Sequence, residues 1–274
     1  MVLTNKLITW KLLLNSSEEC YSPDFGDLCR KRFDPGTLAA LVFEAESRLG
    51  TEHLLVVARK GRATWRVTAS GRAAHAGGKH NQGANAILQL GQTVQKIAAL
   101  TDYSSDLTFN VGSIQGGTVL NRVPHQAVAE GEFRAFTPDV YARARKSLLD
   151  LAGPGNVRSL SDQFPCQLLV EVLHESNPWP RNPGSDRLLQ LWQQAGSELD
   201  LLVGPEERGG LSDGNLIWDA VPTLDGLGPW GDHDHCSERS PDGSKVPEYV
   251  EISSFIPKAM LNVVAILKLV EAAD

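Results

Sequence analysis

Glu18 and Glu19 stand side by side after the apolar run Leu7-Ile8-Thr9-Trp10-Lys11-Leu12-Leu13-Leu14, where a buried strand would hand over to a loop. Two adjacent carboxylates suit a hydrolase. In an extended segment successive side chains point to opposite sides, so one carboxylate can face a metal while its neighbour faces the reacting water. Without further context an adjacent Glu pair is a solvated surface feature, so the chemistry depends on what lies downstream. Zinc in a hydrolytic site takes a few N or O ligands and keeps one position open for water. Glu19, Glu44 and His235 can supply those ligands, gathered from several strand ends rather than from one short motif.

His235 lies in the polar stretch Gly231-Asp232-His233-Asp234-His235-Cys236-Ser237-Glu238, after the turn Gly226-Leu227-Gly228-Pro229. His233, His235 and Cys236 are close enough in sequence for a small structural metal site, and the same stretch also reads as a hydrated loop. His75 sits among small residues in Gly71-Arg72-Ala73-Ala74-His75-Ala76-Gly77-Gly78, which leave room for a close approach. Asn121 follows the Gly116-Gly117 turn and Arg134 lies on a strand. An arginine gives a carboxylate a planar two-point grip, although an internal salt bridge is its commoner use. Gly209-Gly210-Leu211-Ser212-Asp213-Gly214 could bring backbone N–H groups to an anion or merely turn the chain.

The elements that must position these residues read as an α/β chain. A strand is predicted from Leu7 to Asn15, a short helix from Pro23 to Phe33, and a second strand over Leu38-Ala39-Ala40-Leu41-Val42-Phe43 that runs into Glu44. The texture changes near Arg59. Strands are predicted over Arg62 to Ser70, Leu107 to Ile114, His125 to Phe136 and Cys166 to Leu173, with helices over Gly83 to Leu100 and Asp139 to Ala152. That order, βαββαβ, describes a ferredoxin-like unit with two helices on one face of its sheet. Asn177-Pro178-Trp179-Pro180 marks a linker, followed by helices over Asp186 to Ser197 and Ser254 to Ala272.

At 274 residues the chain can bury two cores, and its 42% hydrophobic and 22% charged residues are those of a globular protein. A net charge of −7 without a basic block argues against nucleic-acid or anionic-membrane partners. No window reads as long and apolar enough to span a bilayer. Cys20, Cys29, Cys166 and Cys236 have no paired spacing and read as free thiols. Lys11 interrupts the first apolar run, which argues against a signal peptide and leaves a cytoplasmic location as the expectation.

Taken in order, Asn15-Ser16-Ser17-Glu18-Glu19, Phe43-Glu44, Gly71-Arg72-Ala73-Ala74-His75-Ala76-Gly77, Gly116-Gly117 with Asn121 and Pro124, Glu132-Phe133-Arg134, Gly210-Leu211-Ser212-Asp213 and Asp225-Gly226-Leu227-Gly228 through His235 resemble the M20 metallopeptidases. The glutamate carboxypeptidase and aminoacylase branch is the most similar. The resemblance implies a zinc-hydrolase-type catalytic domain over 1–58 and 176–274, with an inserted ferredoxin-like dimerisation domain over 59–175. It implies Glu18 as general base, and Glu19, Glu44 and His235 as ligands in a site for two zinc ions. It further implies His75 as the oxyanion donor from a dimer partner, with Asn121, Arg134 and, less strongly, Arg208 as substrate-binding residues. The implied substrate is a peptide or N-acyl amino acid with a free carboxylate, and the implied assembly is a homodimer. Family members also draw a His-x-Asp motif and a metal-bridging Asp from a portion ahead of the Glu pair, and residues 1–17 contain neither His nor Asp. An N-terminally incomplete site, weak zinc binding and impaired activity are therefore expected, and the alternative is a non-catalytic dimerising or ligand-binding remnant.

Overall fold

The structure is a computed structural model that describes residues 8–273. Its contacts divide the chain into unit 1, Met1–Arg59 with Trp179–Asp274, and unit 2, Lys60–Pro178. In chain order, unit 1 begins with Phe25–Arg30 (α1), Ala40–Leu41 (β1), Ser47–Leu49 (β2) and Glu52–Arg59 (β3). Unit 2 comprises Gly61–Ser70 (β4), Ala86–Ala98 (α2), Thr108–Gly116 (β5), Gln126–Ala135 (β6), Pro138–Leu149 (α3), Gly153–Arg158 (β7) and Pro165–Ser176 (β8). Unit 1 resumes with Pro183–Glu198 (α4), Val203–Arg208 (β9), Thr223–Leu224 (β10), Gly231–Asp232 (β11), Tyr249–Val250 (β12) and Phe255–Glu271 (α5).

The spine of unit 1 is β3, whose residues from Leu55 to Arg59 are all buried. Periodicity missed this strand because a strand covered on both faces has no alternation to read. It pairs in parallel with β9 and antiparallel with β2. Parallel pairing needs a crossover, and α4 provides it, so unit 2 is inserted into a βαβ unit. Leu55 and Val57 pack with Leu188 and Trp192 of α4 and with Leu261, Ala265 and Leu269 of α5. Trp192 donates its indole N–H to Asn262 Oδ1 at 2.9 Å, and Asn262 donates to the Leu227 carbonyl at 2.9 Å.

Two sequence expectations need correction here. Of the strand predicted from Leu7 to Asn15, Leu7 lies outside the described residues and residues 8–15 form neither strand nor helix. Trp10, Leu12 and Leu14 are largely exposed, and among the described residues no strand pairs with this run. The reading that no window is long and apolar enough to span a bilayer also fails: the helical segment Ile252–Glu271 is, by length and composition. Its inward face is the unit 1 core, while Ile252, Ile256, Met260 and Val263 face outward.

Unit 2 is the ferredoxin-like body, with sheet order β5-β6-β4-β8-β7. Ala63, Trp65, Val67 and Ala69 alternate inward along β4 and pack against Leu90 and Ile97 of α2 and Tyr141 and Leu148 of α3, which places both helices on one face. Asn85 caps α2 and Thr137 caps α3, with Pro138 in the first turn as its fixed φ favours. The predicted βαββαβ order gains one edge strand, β7, whose Gly-Pro-Gly start hides it from pattern reading. At the centre, Gly131 lies opposite Trp65 in the ladder. A Cβ at Gly131 would meet the Asn110 carbonyl oxygen at 2.0 Å and the Trp65 ring at 2.4 Å. Gly131→Ala is expected to destabilise the chain by about 1–3 kcal/mol through overpacking, seen as a lower denaturant midpoint at unchanged slope.

Candidate active site

Glu18 and Glu19 begin a single 3-10 turn, Glu18–Cys20, closed by Cys20 N–H to the Ser17 carbonyl at 2.9 Å and Tyr21 N–H to the Glu18 carbonyl at 3.1 Å. The extended geometry expected for the pair is therefore replaced. Successive side chains on such a turn diverge by about 120° rather than alternating across a pleat. Tyr21 and Ser22 follow with φ of 71° and 43°, so the chain reverses through two consecutive left-handed residues. The Glu19 carboxylate lies 3.7 Å from Nδ1 of His235, and both side chains are 75% exposed. His233 and His235 also have positive φ, and His235 N–H donates to Glu248 Oε2 at 3.3 Å.

Glu44 leaves the end of the β1 segment, which hydrogen bonds to the strand entering Asp225. Val42 N–H donates to the Leu224 carbonyl at 2.9 Å, and Gly228 N–H donates to the Glu44 carbonyl at 2.8 Å. That approach is close enough to require glycine, since a Cβ at Gly228 would lie 2.7 Å from the Glu44 carbonyl oxygen. Burial raises the Glu44 carboxyl above its usual range, and the negative charges of Asp225, Glu18 and Asp213 push it the same way while Arg59 opposes them. Asp225 itself is fully buried. It pairs with Arg59 Nε at 2.7 Å and accepts Ser212 Oγ at 2.7 Å. Arg59 also donates to the Gly210 and Leu211 carbonyls at 3.1 and 3.0 Å. Sequence reasoning gave Arg59, Ser212, Asp213 and Asp225 no role; for the last three the signal was there in the polar residues of two glycine-rich turns, whereas Arg59 ends the buried strand β3.

Arg208 spends its donors inside unit 1, on Glu206 Oε2 at 2.7 Å, the Ala45 carbonyl at 2.8 Å and Ser47 Oγ at 2.6 Å. In unit 2, Arg134 pairs with Glu132, two residues away on β6, at 2.8 Å. His75 is exposed, and its Nδ1 accepts Gly77 N–H at 3.2 Å and Gly78 N–H at 3.0 Å. Two donors at Nδ1 place the proton of the neutral ring on Nε2, which is left as a hydrogen-bond donor. Ala76 N–H donates to the Asn121 carbonyl at 2.9 Å, so the His75 and Asn121 segments run together.

Among the described residues, no three His, Cys, Asp or Glu side chains gather as a metal-ligand set. Neither Glu19, Glu44 and His235 nor His233, His235 and Cys236 forms such a group. A hydrolytic zinc uses three protein ligands and a water, so the approach of Glu19 and His235 does not by itself fit a complete zinc centre. All four cysteines are free, Cys20 and Cys236 exposed and Cys29 and Cys166 buried, and burial pushes the latter two thiols up.

Residues 57–155 match the peptidase dimerisation domain of the M20 type. The chain is 25% identical over 260 residues to carboxypeptidase G2 from a Pseudomonas species, covering 92% of this chain and 57% of that protein. Over 82 residues it is 40% identical to indole-3-acetyl-aspartic acid hydrolase from Enterobacter agglomerans, covering 28% of this chain and 19% of that protein. Among solved structures, aminopeptidase PepT from Bacillus cereus superposes with a TM-score of 0.70 at 20% identity, covering 93% of this chain and 62% of that one. The chain thus spans less than two thirds of the length of each of these relatives.

Proposed function

We propose that this chain is of the M20 peptidase type and carries part of a site for hydrolysing an amide or peptide bond beside a substrate carboxylate, a reading supported by the match of residues 57–155 to the dimerisation domain and by the similarity to carboxypeptidase G2. The observation that carries this reading is the placement of Glu18 and Glu19 on one turn, with Glu19 3.7 Å from His235. Glu18 takes a proton from the attacking water as its oxygen bonds to the carbonyl carbon. It then passes that proton to the leaving nitrogen as the C–N bond breaks. His75 Nε2–H, from a second copy of the chain, meets the oxygen that becomes negative between those steps. Asn121 and Arg134 hold the substrate, Arg134 exchanging part of its pairing with Glu132 for the substrate carboxylate. The names of two relatives, a carboxypeptidase and a hydrolase of an acylated aspartic acid, support a substrate of this kind.

Zinc dependence belongs to the same proposal, and the two-donor approach of Glu19 and His235 makes weak binding the expected result. After dialysis from saturating zinc, the purified chain should retain less than one equivalent, and Glu19→Ala should reduce it further. At saturating zinc it should release amino acid slowly from N-acyl-glutamate or N-acyl-aspartate. No release at any zinc concentration would overturn the catalytic reading. The incomplete ligand set would then favour a non-catalytic dimerising module of the same fold. Homodimerisation is assigned to unit 2, where β5 is an edge strand beside the exposed Ile87, Leu88 and Ile114.

A further inference from the structure

The glycine-rich turn that precedes Gly214 contributes one side chain that the proposed reaction leaves without a task. Asp213 opens the 3-10 turn Asp213–Leu216, and its carboxylate reaches back to the two residues that flank the Glu18–Glu19 turn. Asn15 Nδ2 donates to Asp213 Oδ1 at 3.0 Å and Oδ2 at 3.1 Å. Ser22 Oγ donates to Asp213 Oδ1 at 2.9 Å. Asn15 Oδ1 in turn accepts the Ser17 N–H at 2.9 Å and the Ser17 hydroxyl at 3.0 Å. The two ends of the turn are thereby tied to one carboxylate.

We propose that Asp213 is a positioning residue that fixes the Glu18–Glu19 turn, and with it the direction in which both carboxylates point. Three observations make such an anchor necessary. Residues 8–15 have no ladder or helix to hold them. The turn between them and α1 is one 3-10 turn long. Tyr21 and Ser22 both occupy left-handed backbone, a region that non-glycine residues keep only where their surroundings enforce it. Ser22 is nevertheless buried, and its hydroxyl points to Asp213. The neighbouring Ser212 does the matching task on the other side: it bonds to Asp225, whose strand holds the Glu44 segment. One short turn thus sets both carboxylate-bearing segments.

The inference rests on the reading of Glu18 and Glu19 as site residues, but its test does not depend on turnover. Hydrogen exchange on the full chain compares wild type with Asp213→Ala, Asp213→Asn and Asn15→Ala. In Asp213→Ala the amides of Cys20, Tyr21 and Ser22 should exchange about tenfold or more faster, the effect of losing hydrogen bonds to a charged group. Amides of β3 and α4 should keep their wild-type rates. Asp213→Asn should restore most of the protection, because one amide oxygen can accept from both Asn15 and Ser22. Adding Asn15→Ala to Asp213→Ala should speed exchange further, because Asn15 also accepts the Ser17 N–H and hydroxyl and donates to the Ser22 hydroxyl, bonds that do not involve Asp213. Unchanged exchange at Cys20–Ser22 in Asp213→Ala would overturn the proposal, and so would an equal rise throughout unit 1 or failure of Asp213→Asn to restore protection. Local loosening in a chain that hydrolyses nothing would uphold the anchor and sink only the reaction assigned to Glu18.

Discussion

Glu18→Gln is expected to lower zinc-supported amide hydrolysis by about 100- to 10,000-fold, the usual worth of a positioned general base. The amide keeps the size of the side chain, and the Glu18 carbonyl keeps the Tyr21 N–H, so the turn should survive the change. What disappears is the ability to hold a proton between the water and the leaving nitrogen. Glu19→Gln should behave differently. Its carboxylate approaches His235, so its loss acts on zinc affinity, and raising the zinc concentration should recover part of the rate. Rates measured across a zinc titration separate the two. If Glu18→Gln recovers with zinc as Glu19→Gln does, or leaves the rate unchanged, the division of labour between the adjacent carboxylates is wrong.

Elements with a one-sided environment were legible in the sequence. β4 alternates because one face meets α2 and α3, and α2, α3, α4 and α5 carry periodic apolar stripes with capping residues at several of their starts. β3 was not legible, since burial on both faces removes alternation, nor was β9, whose Glu206, Glu207 and Arg208 look like a surface loop. The run from Ile8 to Leu14 misled for the opposite reason: its apolar composition asks for a partner that the described residues do not supply. At the site, residue types were readable and their support was not. Hydrogen bonds from Asn15 to Asp213 and from Arg59 to Asp225 join residues 198 and 166 positions apart, a relation that no local pattern encodes.

Two residues beyond Glu44, removal of a single carboxylate should cost about 3–5 kcal/mol, the usual result of leaving buried charges without their partner. Glu46 has no exposed side-chain surface, and Lys258 Nζ lies 2.8 Å from its Oε2. His53 Nδ1 and Arg48 Nε lie 2.7 and 2.8 Å from its Oε1. Burial opposes ionisation of Glu46, but His53, Lys258 and Arg48 outweigh it and hold the carboxyl at about 2. Glu46→Ala strands Lys258, which is 3% exposed and whose amine burial already pushes down. A lower unfolding midpoint at neutral pH is therefore expected. Pairing Glu46→Leu with Lys258→Met should recover much of the loss, because an apolar pair needs no compensating charge. The pH dependence follows from the same carboxylate. Its folded-state pKa is depressed, so its contribution is present above its ordinary value of 4.5 and is lost as pH falls from there toward about 2. Stability curves of wild type and Glu46→Gln should accordingly converge across that interval. Parallel curves from neutrality to pH 2 would show that the cluster carries no net stabilising charge, and that β2, β3 and α5 are held together by apolar packing alone.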